Sequence, residues 1–173
     1  LDDRGRAYSI SAADLPGGKG DGVPATSLAE FQEGGKLLLA QAVSGQKTYL
    51  VAGAGGYGFL VKGEDLLSRG KAGKAFLSLE AGEKPAVFQS APNSEEIAVF
   101  TQDGRALVFP LAELRLLAKG RGLKLIAAEA AKAALTHIEA VIDGSAGKLK
   151  GERLALCRGA RGGKGKALKA AKK

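Results

Sequence analysis

The stretch Gly104-Arg-Ala-Leu-Val-Phe-Pro-Leu-Ala-Glu-Leu114 decides the predicted fold, because its pattern returns along the chain. A glycine opens an apolar, strand-like run, and a leucine follows ten positions after the glycine. This spacing occurs four times, at Gly5 to Leu15, Gly56 to Leu66, Gly104 to Leu114 and Gly144 to Leu154. Successive glycines are 51, 48 and 40 residues apart. A period of about 40 to 50 residues with short strands is typical of a propeller blade.

The sequence around these glycines consists of short runs rich in Val, Leu, Ile, Phe and Tyr, separated by Gly, Asp and Asn. Such runs predict strands. The predicted strands are 7–10, 37–43, 48–52, 59–61, 76–79, 86–90, 97–100, 106–109 and 138–142. One segment, 126–135, has the Ala, Glu and Lys composition of a helix, so we expect either a short surface helix or an ordered loop there.

The repeats predict one all-β domain over residues 1–173, a propeller-like ring of about four blades with four short antiparallel strands in each. The ring is either closed or open. Blade boundaries are expected near 1–50, 51–98, 99–140 and 141–173. Because the chain starts with Leu and contains no Met, we expect the domain to be part of a longer subunit.

A basic, Gly-rich loop follows each repeated leucine. The four loops are Gly17-Gly-Lys-Gly-Asp-Gly22, Ser68-Arg-Gly-Lys-Ala-Gly-Lys74, Lys119-Gly-Arg-Gly-Leu-Lys124 and Arg158-Gly-Ala-Arg-Gly-Gly-Lys-Gly-Lys166. Loops at equivalent places on successive blades would line a curved cationic track, and their glycines let the backbone approach a phosphate closely. The predicted DNA-binding residues are Lys19, Arg69, Lys71, Lys74, Lys119, Arg121, Lys124, Arg158, Arg161, Lys164 and Lys166.

The positive charge is concentrated at one end of the chain. The whole chain carries a net charge of +8, and residues 144–173 alone hold ten basic residues against one acidic residue. Such a cationic end favours a polyanionic partner, since each Lys or Arg near a phosphate releases counterions. A solvated polybasic segment without a defined partner is the alternative.

Composition excludes several other classes of protein. No apolar run approaches the ~18 residues of a membrane-spanning helix, so no membrane span is expected. A single cysteine, Cys157, excludes a disulfide framework, which favours a reducing, cytoplasmic compartment. Gly53-Ala-Gly-Gly-Tyr-Gly58 matches a dinucleotide-binding pattern, but the strand-like Phe59-Leu-Val61 follows it where a helix is required. We therefore interpret this glycine run as a hairpin.

No residue of the chain is a convincing catalytic group. His137 stands alone among apolar residues, which indicates a packed or rim imidazole rather than a metal ligand or base. Arg158 could depress the pKa of Cys157, but no second cysteine or nearby histidine supports thiol chemistry, so an apolar filler is expected. The sequence thus predicts a domain without catalytic, cofactor-binding or metal-binding residues.

Several of these motifs resemble the C-terminal domain of the A subunit of bacterial type IIA topoisomerases, most closely that of topoisomerase IV. The segments that carry the resemblance are Gly5 to Ile10 with Asp14-Leu-Pro16, Gly56 to Phe59 with Asp65-Leu66 and Arg69 to Lys74, and Gly104 to Pro110 with Lys119 to Gly122. The resemblance implies a β-pinwheel, a propeller-like ring with exchanged strands, that binds and bends duplex DNA on its outer edge without reading sequence.

The resemblance also implies a holoenzyme that contains the rest of the A subunit and an ATPase B subunit in a heterotetramer. That enzyme hydrolyses ATP, uses Mg²⁺, and decatenates and relaxes DNA on the nucleoid in the bacterial cytoplasm. ATP and Mg²⁺ are expected to bind outside this domain.

Two alternatives remain open at the level of sequence. The DNA-wrapping domain of gyrase carries a Gln-initiated basic Gly-rich box in its first blade. The nearest match here, Ala160-Arg-Gly-Gly-Lys-Gly165, lies in the last repeat and lacks the Gln and the first basic residue, which favours topoisomerase IV. The other alternative is a protein-interaction propeller whose basic loops select an acidic partner.

Overall fold

The computed structural model describes residues 1–32, 34–129 and 132–168. The strands are β1 (Arg6–Ala7), β2 (Thr48–Gly53), β3 (Tyr57–Lys62), β4 (Lys74–Ala75), β5 (Pro85–Ser90), β6 (Glu96–Thr101), β7 (Arg105–Pro110), β8 (Leu123–Lys124), β9 (Leu135–Ala140), β10 (Ser145–Ala146), β11 (Leu149–Lys150) and β12 (Lys166–Ala167). The α-helices are α1 (Ala25–Leu28), α2 (Gly63–Leu66) and α3 (Gly151–Leu156), and two 3-10 turns span Ala12–Asp14 and Leu111–Glu113. Within the described ranges, no helix is long and apolar enough to cross a membrane.

Two antiparallel four-stranded sheets form the centre of the molecule. The first sheet has the strand order β5-β2-β3-β8, and the second has the order β12-β7-β6-β9. Each is built on a hairpin, β2–β3 or β6–β7, in which Val51 pairs with Phe59 and Val99 pairs with Leu107. Apolar and β-branched residues dominate these strands, which suits a pleated surface that is buried on both faces.

The two sheets pack face to face through side chains that alternate along each strand. Leu50 and Ala52 of β2 point toward the second sheet, where they join Ile97 and Val99 of β6 and Phe109 of β7 in one buried cluster. These five residues are at most 1% exposed. Because strand side chains alternate between faces, the intervening residues form separate clusters on the two outer faces.

The first and last repeats cover those outer faces. On the first sheet, Val51 and Phe59 pack with Phe76, and Leu1 and Ala7 of the first repeat lie against this cluster. On the second sheet, the buried cluster joins side chains of β6 and β7 to side chains of the last repeat: Ala98, Phe100, Ala106, Val108, Ala146, Leu149, Leu154 and Cys157. The successive units therefore stack as propeller blades do.

Each four-stranded sheet takes its outermost strand from the following repeat. In the first sheet β8 pairs with β3, with Leu123 opposite Gly58, and in the second β12 pairs with β7, with Lys166 opposite Ala106. A third pair of this kind joins β4 to β1 of the first repeat. This exchange of strands, together with several small antiparallel sheets, confirms the predicted all-β, pinwheel-like fold class.

The two ends of the chain depart from the expected four strands per blade. Among the described residues, the first repeat supplies β1, which pairs with β4, and the last repeat supplies the two-stranded sheet β10–β11 in addition to the exchanged strand β12. At the start of the last repeat, a tight turn with the Ile142–Ser145 bridge leads directly from the end of β9 at Ala140 to β10. The inner hairpin strand that β2 and β6 supply elsewhere is missing, which explains the shorter spacing of 40 residues between Gly104 and Gly144.

Segment 126–135 is not helical over its described part. Ile126 is buried beside Gly56, Glu129 and Ala133 form an antiparallel bridge, and Leu135 begins β9. A helix of ten residues is marginal in water, and here burial of Ile126 and Leu135 in the core between the sheets prevails over the helical propensity of the alanines. The described residues of this segment before Leu135 are therefore a loop and not the short surface helix.

Candidate nucleic-acid interface

Three of the four basic loops lead into an exchanged strand. The loop 68–74 ends in β4, the loop 119–124 contains β8, and the loop 158–166 leads into β12. We call each antiparallel pair between an exchanged strand and the preceding repeat a joint. The three joints are β1–β4, β3–β8 and β7–β12. The loops therefore occupy equivalent positions on three successive units.

The joints share a hydrogen-bond pattern at the repeated glycines. The carbonyl oxygens of these glycines accept backbone N–H groups from just beyond the exchanged strand. The pairs are Leu77 N to Gly5 O at 3.1 Å, Leu125 N to Gly56 O at 2.7 Å, and Leu168 N to Gly104 O at 2.7 Å. Equivalent backbone bonds at all three joints indicate that the loops have the same orientation relative to their sheets.

Gly122 allows the closest approach of two backbones at the middle joint. Its φ of +81° lies in the left-handed region, and a Cβ atom there would collide with the carbonyl oxygen of Gly58. Gly56, across the joint, has a φ of +84°. Only glycine combines this conformation with such close packing. The fold itself therefore requires glycine at position 122 of this loop.

A long side chain clamps each of the two outer joint loops from the preceding repeat. Arg6 donates to the carbonyl oxygens of Ala72 at 2.9 Å and Gly73 at 3.2 Å. Arg105 donates to the carbonyl oxygen of Lys164 at 2.6 Å and that of Ala127 at 3.2 Å. Each clamp thus fixes the backbone of a basic loop to the repeat before it.

The middle joint uses an aromatic ring in the same position. Tyr57 follows Gly56 as Arg105 follows Gly104, and the Arg121 guanidinium carbon lies 3.9 Å from the centre of its ring. A cation over an aromatic face is attracted by the ring quadrupole. All three joints therefore attach their loop through the residue that follows the repeated glycine.

The predicted residues divide into two groups by their partners. The lysines and Arg69 project from the loops without an ion pair to any residue of the described ranges. Exposed members of this group are Lys19, Arg69, Lys71, Lys119, Lys124, Lys164 and Lys166. Lys74 is half-buried, and its Nζ donates to the carbonyl oxygen of Asp65 at 2.7 Å. Cationic groups that are exposed to solvent can contact the phosphates of a nucleic acid.

The arginines of the middle and last loops, Arg121, Arg158 and Arg161, have carboxylate partners. Arg158 forms a bidentate pair with Glu96, with its Nε 2.9 Å from Oε1 and its Nη2 2.8 Å from Oε2. Hydrogen bonding to Arg158 lowers the pKa of Glu96, and the same pair raises the pKa of Arg158. A bidentate pair of this kind fixes the orientation of the guanidinium plane in addition to its electrostatic attraction to the carboxylate.

Arg121 and Arg161 have comparable partners. Arg121 contacts Glu80 and also approaches buried Glu83, with Nη2 3.7 Å from Oε2. Arg161 donates to the carbonyl oxygen of Lys124 at 2.7 Å, and its Nε lies 3.5 Å from Glu113 Oε2. Arg161 of the last loop thus touches the middle loop directly, so neighbouring loops are physically connected.

Sequence reasoning missed the carboxylates that hold these arginines. Glu96 lies 62 positions before Arg158, and Glu80 lies 41 positions before Arg121. No local spacing signals pairs this distant. A sequence signal for the two arginine clamps does exist, because the Gly-Arg-Ala motif at Gly5 and Gly104 places an arginine after the joint glycine in both repeats.

The first loop, 17–22, has a different environment. All of its residues are exposed, and its glycines have no neighbouring heavy atom near the position of a Cβ. No joint among the described residues contains it. The structure therefore brings the predicted residues of three loops into equivalent positions and leaves Lys19 apart.

The glycine run 53–58, His137 and Cys157 have the environments that the sequence predicts. Gly53 to Gly58 form the β2–β3 hairpin, as predicted. His137 is exposed at the rim and stacks on Phe100. Cys157 is buried, and desolvation raises the pKa of its thiol, so the expected filler role agrees with its environment. Among the residues that the structure describes, no three His, Cys, Asp or Glu side chains are grouped so as to hold a metal ion.

Comparison with known proteins identifies the family. Residues 47–84 and 95–141 match the family described as DNA gyrase C-terminal domain, beta-propeller. The topoisomerase 4 A subunit of Neisseria gonorrhoeae is 43% identical over 141 residues, which cover 78% of this chain and 18% of that protein. The chain belongs to the gyrase C-terminal domain family. Within this family, the A subunit of Pseudomonas aeruginosa topoisomerase 4 is 34% identical over 97% of the chain and 24% of its own length.

Solved members of the gyrase C-terminal domain family have the same fold. The E. coli ParC C-terminal domain superimposes with a TM-score of 0.87 at 29% identity, covering 98% of this chain and 75% of that one. The DNA gyrase A C-terminal domain gives a TM-score of 0.63 at 16% identity over 83% of this chain and 47% of that one, which supports the fold alone. The chain spans about a fifth of the length of the curated relatives it matches.

Proposed function

We propose that this domain binds duplex DNA without sequence specificity along the three joint loops, as the C-terminal domain of a topoisomerase IV A subunit. The observation that supports this proposal is the equivalence of the loops 68–74, 119–124 and 158–166 at successive joints. Loops repeated in this way form a curved row of cations, and a duplex that follows a curved row is bent.

Lysines and arginines have different roles in this proposal. The solvent-exposed lysines and Arg69 neutralise phosphates and release counterions. Arg121, Arg158 and Arg161 hold the loops in position through their carboxylate partners. The longest helix among the described residues, α3, has six residues and is too short to act as a recognition helix in the major groove. Contacts to the DNA backbone therefore dominate over contacts to bases.

In the complete enzyme, the domain would position the DNA segment that is transported through a cleaved duplex. The strand-cleaving part of the A subunit, the ATPase subunit, ATP and Mg²⁺ belong to the rest of a heterotetramer in the bacterial cytoplasm. A bent segment presented beside the cleavage core favours decatenation and relaxation.

A salt titration tests the binding. With about six to eight phosphates neutralised, the logarithm of the affinity for a random-sequence duplex falls against the logarithm of salt concentration with a slope of about −5 to −7. Absence of measurable binding at low salt would overturn the proposal.

Ligation of nicked circles distinguishes bending from gyrase-like wrapping, because only chiral wrapping shifts the linking number strongly.

A matched pair of charge reversals locates the contact surface. Lys71, Lys119, Lys124 and Lys164 are changed to Glu in one variant, and the exposed lysines Lys36, Lys47, Lys84 and Lys132 are changed in the control. The loop variant loses duplex affinity by at least tenfold more than the control and has a smaller salt slope. Equal losses in both variants contradict the assignment to the loops, and unchanged duplex affinity of the loop variant favours a protein-interaction propeller.

A further inference from the structure

A cavity of about 980 Å³ opens between the second sheet and the last repeat. Its lining includes the apolar side chains of Leu149, Leu156, Cys157 and Leu168. Leu156, at the end of α3, is 67% exposed although it is a large aliphatic residue. An apolar cavity with a few polar groups around it is the usual form of a small-molecule site.

A stacked pair of aromatic rings forms one wall of this cavity. The rings of Phe100 and His137 lie 4.4 Å apart and are inclined by only 5°. Thr136 Oγ1 is 2.9 Å from His137 Nδ1, a hydrogen bond that restrains the ring. The His137 side chain is 54% exposed, so part of the imidazole remains accessible for a further planar group.

Three cations surround the same cavity. They are Lys148, Arg153 and Lys166, and none of them forms an ion pair with a residue of the described ranges. The one carboxylate in the lining is Glu139, whose Oε1 is 3.7 Å from His137 Nε2. The cavity therefore combines aromatic and apolar lining residues with an excess of positive charge.

We infer that this cavity binds a nucleotide, with its base stacked against His137 and its phosphate held by Lys148, Arg153 and Lys166. Aromatic side chains bind bases because each base presents a flat π surface, and nearby cations hold the phosphate. Intact duplex DNA does not fit this description, since its bases are stacked within the helix. The cavity shares Lys166 with the last joint loop, but its aromatic wall and its other two cations lie outside the joint loops. Its ligand is either a free mononucleotide or an unpaired strand end.

Binding of dAMP, a five-nucleotide deoxyadenosine strand and a blunt duplex to the full chain tests the inference. His137→Ala weakens binding of dAMP or the single strand about tenfold or more, and His137→Phe retains it because the planar surface remains. Arg153→Glu also weakens this binding, whereas Lys84→Glu, an equal charge change at an exposed site outside the cavity, leaves it unchanged. Saturable binding of dAMP identifies a free nucleotide as the ligand, and binding of the strand alone identifies unpaired DNA.

Other results overturn the inference. These are no saturable binding of either probe, equal losses in Arg153→Glu and Lys84→Glu, or tighter binding of dodecanoate than of dAMP, which would indicate an aliphatic anion. The duplex proposal is tested separately. His137→Ala leaves duplex affinity unchanged, and a double variant, Lys119→Glu with Lys124→Glu, lowers duplex affinity without affecting dAMP.

Discussion

Lysine and arginine have different environments in the basic loops. All loop lysines except Lys74 extend into solvent, while the guanidinium groups of Arg121, Arg158 and Arg161 are directed at carboxylates or carbonyl oxygens of the protein. A guanidinium has five donors in a rigid plane, which suits multiple simultaneous contacts, and an ammonium group remains strongly hydrated and mobile. Most loop lysines are thus available for phosphate contact and three of the loop arginines position the loops, with Arg69 and Lys74 as the exceptions.

The Glu96–Arg158 pair makes stability depend on pH. Hydrogen bonding to Arg158 lowers the folded-state pKa of Glu96 below its ordinary value of about 4.5, so the stabilisation is fully present above that value and is lost as pH falls through the lowered pKa. Urea unfolding between pH 7 and pH 3 measures this loss. Glu96→Gln is less stable at pH 7 and has a shallower decline on acidification.

Exposed Glu95 provides the control for that experiment, because Glu95→Gln removes the same charge without breaking the pair. The carboxyl of Asp103 has its pKa lowered by hydrogen bonds from Thr101 and Arg105, so part of the acid sensitivity persists in both variants. Equal pH profiles for Glu96→Gln and Glu95→Gln would show that the pair does not stabilise the fold.

A single methyl group at Gly122 is expected to destabilise the middle joint. Gly122→Ala introduces both a left-handed alanine and a collision with the Gly58 carbonyl oxygen, so we expect a loss of about 2 kcal/mol or more in urea unfolding. Gly70 lies in the preceding basic loop, and no atom lies within 4 Å of the position that a Cβ atom would take there. Gly70→Ala should therefore change stability by less than about 0.5 kcal/mol, and a similar loss in both variants contradicts the argument.

At the scale of elements, the exchanged strands are too short to be stable alone. β4, β8 and β12 have two residues each, so their positions depend on the clamps and on the glycine carbonyls of the preceding repeat. Two-residue strands offer few ladder hydrogen bonds, and side chains must complete the attachment. The basic loops are held in place by these attachments.

Removing a clamp should loosen the adjacent loop first. Arg105→Ala deletes the hydrogen bonds to Lys164 and Ala127, and we expect a loss of about 1 to 3 kcal/mol in stability. Native-state hydrogen exchange should show faster exchange at the Leu168 amide, which donates to Gly104 across the joint. Arg115→Ala, at an exposed arginine of the neighbouring loop, is the control, and equal exchange in both variants contradicts a clamp role for Arg105.

Comparison of the observed strands with the apolar runs of the sequence shows which strands could be predicted from sequence alone. β2, β3, β6 and β7 coincide with predicted apolar runs, because a strand buried on both faces must be apolar along its length. The run 37–43 predicts a strand equally well, but among its residues only Leu37 forms a bridge, to Asp2. Whether a run becomes a strand depends on a partner edge, and a single sequence does not encode that partner locally.

At the scale of the whole molecule, one core serves both central sheets. The cluster that contains Leu50, Ile97 and Phe109 draws side chains from each sheet, and the clusters on the outer faces bind the terminal repeats. The period of the glycines predicted this arrangement of units. It did not predict that the last repeat lacks a four-stranded sheet, since the glycine and leucine of that repeat are present and only the strand before them is absent.

A shared core predicts cooperative unfolding. Ile97→Ala removes a fully buried side chain from the cluster between the sheets, and we expect a loss of about 2 to 5 kcal/mol without separation of the transition into two steps. Circular dichroism and tyrosine fluorescence in urea should give coincident midpoints. Ile142→Ala, at a residue that is 58% exposed, should change stability little. Two resolved transitions would show that the sheets unfold independently.

Because each joint crosses a repeat boundary, the units of this domain interlock and cannot be trimmed one at a time. Truncation after Ala140 would remove β12 as well as the last repeat, leaving the second sheet with three strands and an unpaired edge at β7. Unpaired edges of this kind promote association between chains. A chain that ends after β8, at Lys124, completes the first sheet but lacks β9 and β12, so its second sheet keeps only the β6–β7 hairpin and exposes both edges.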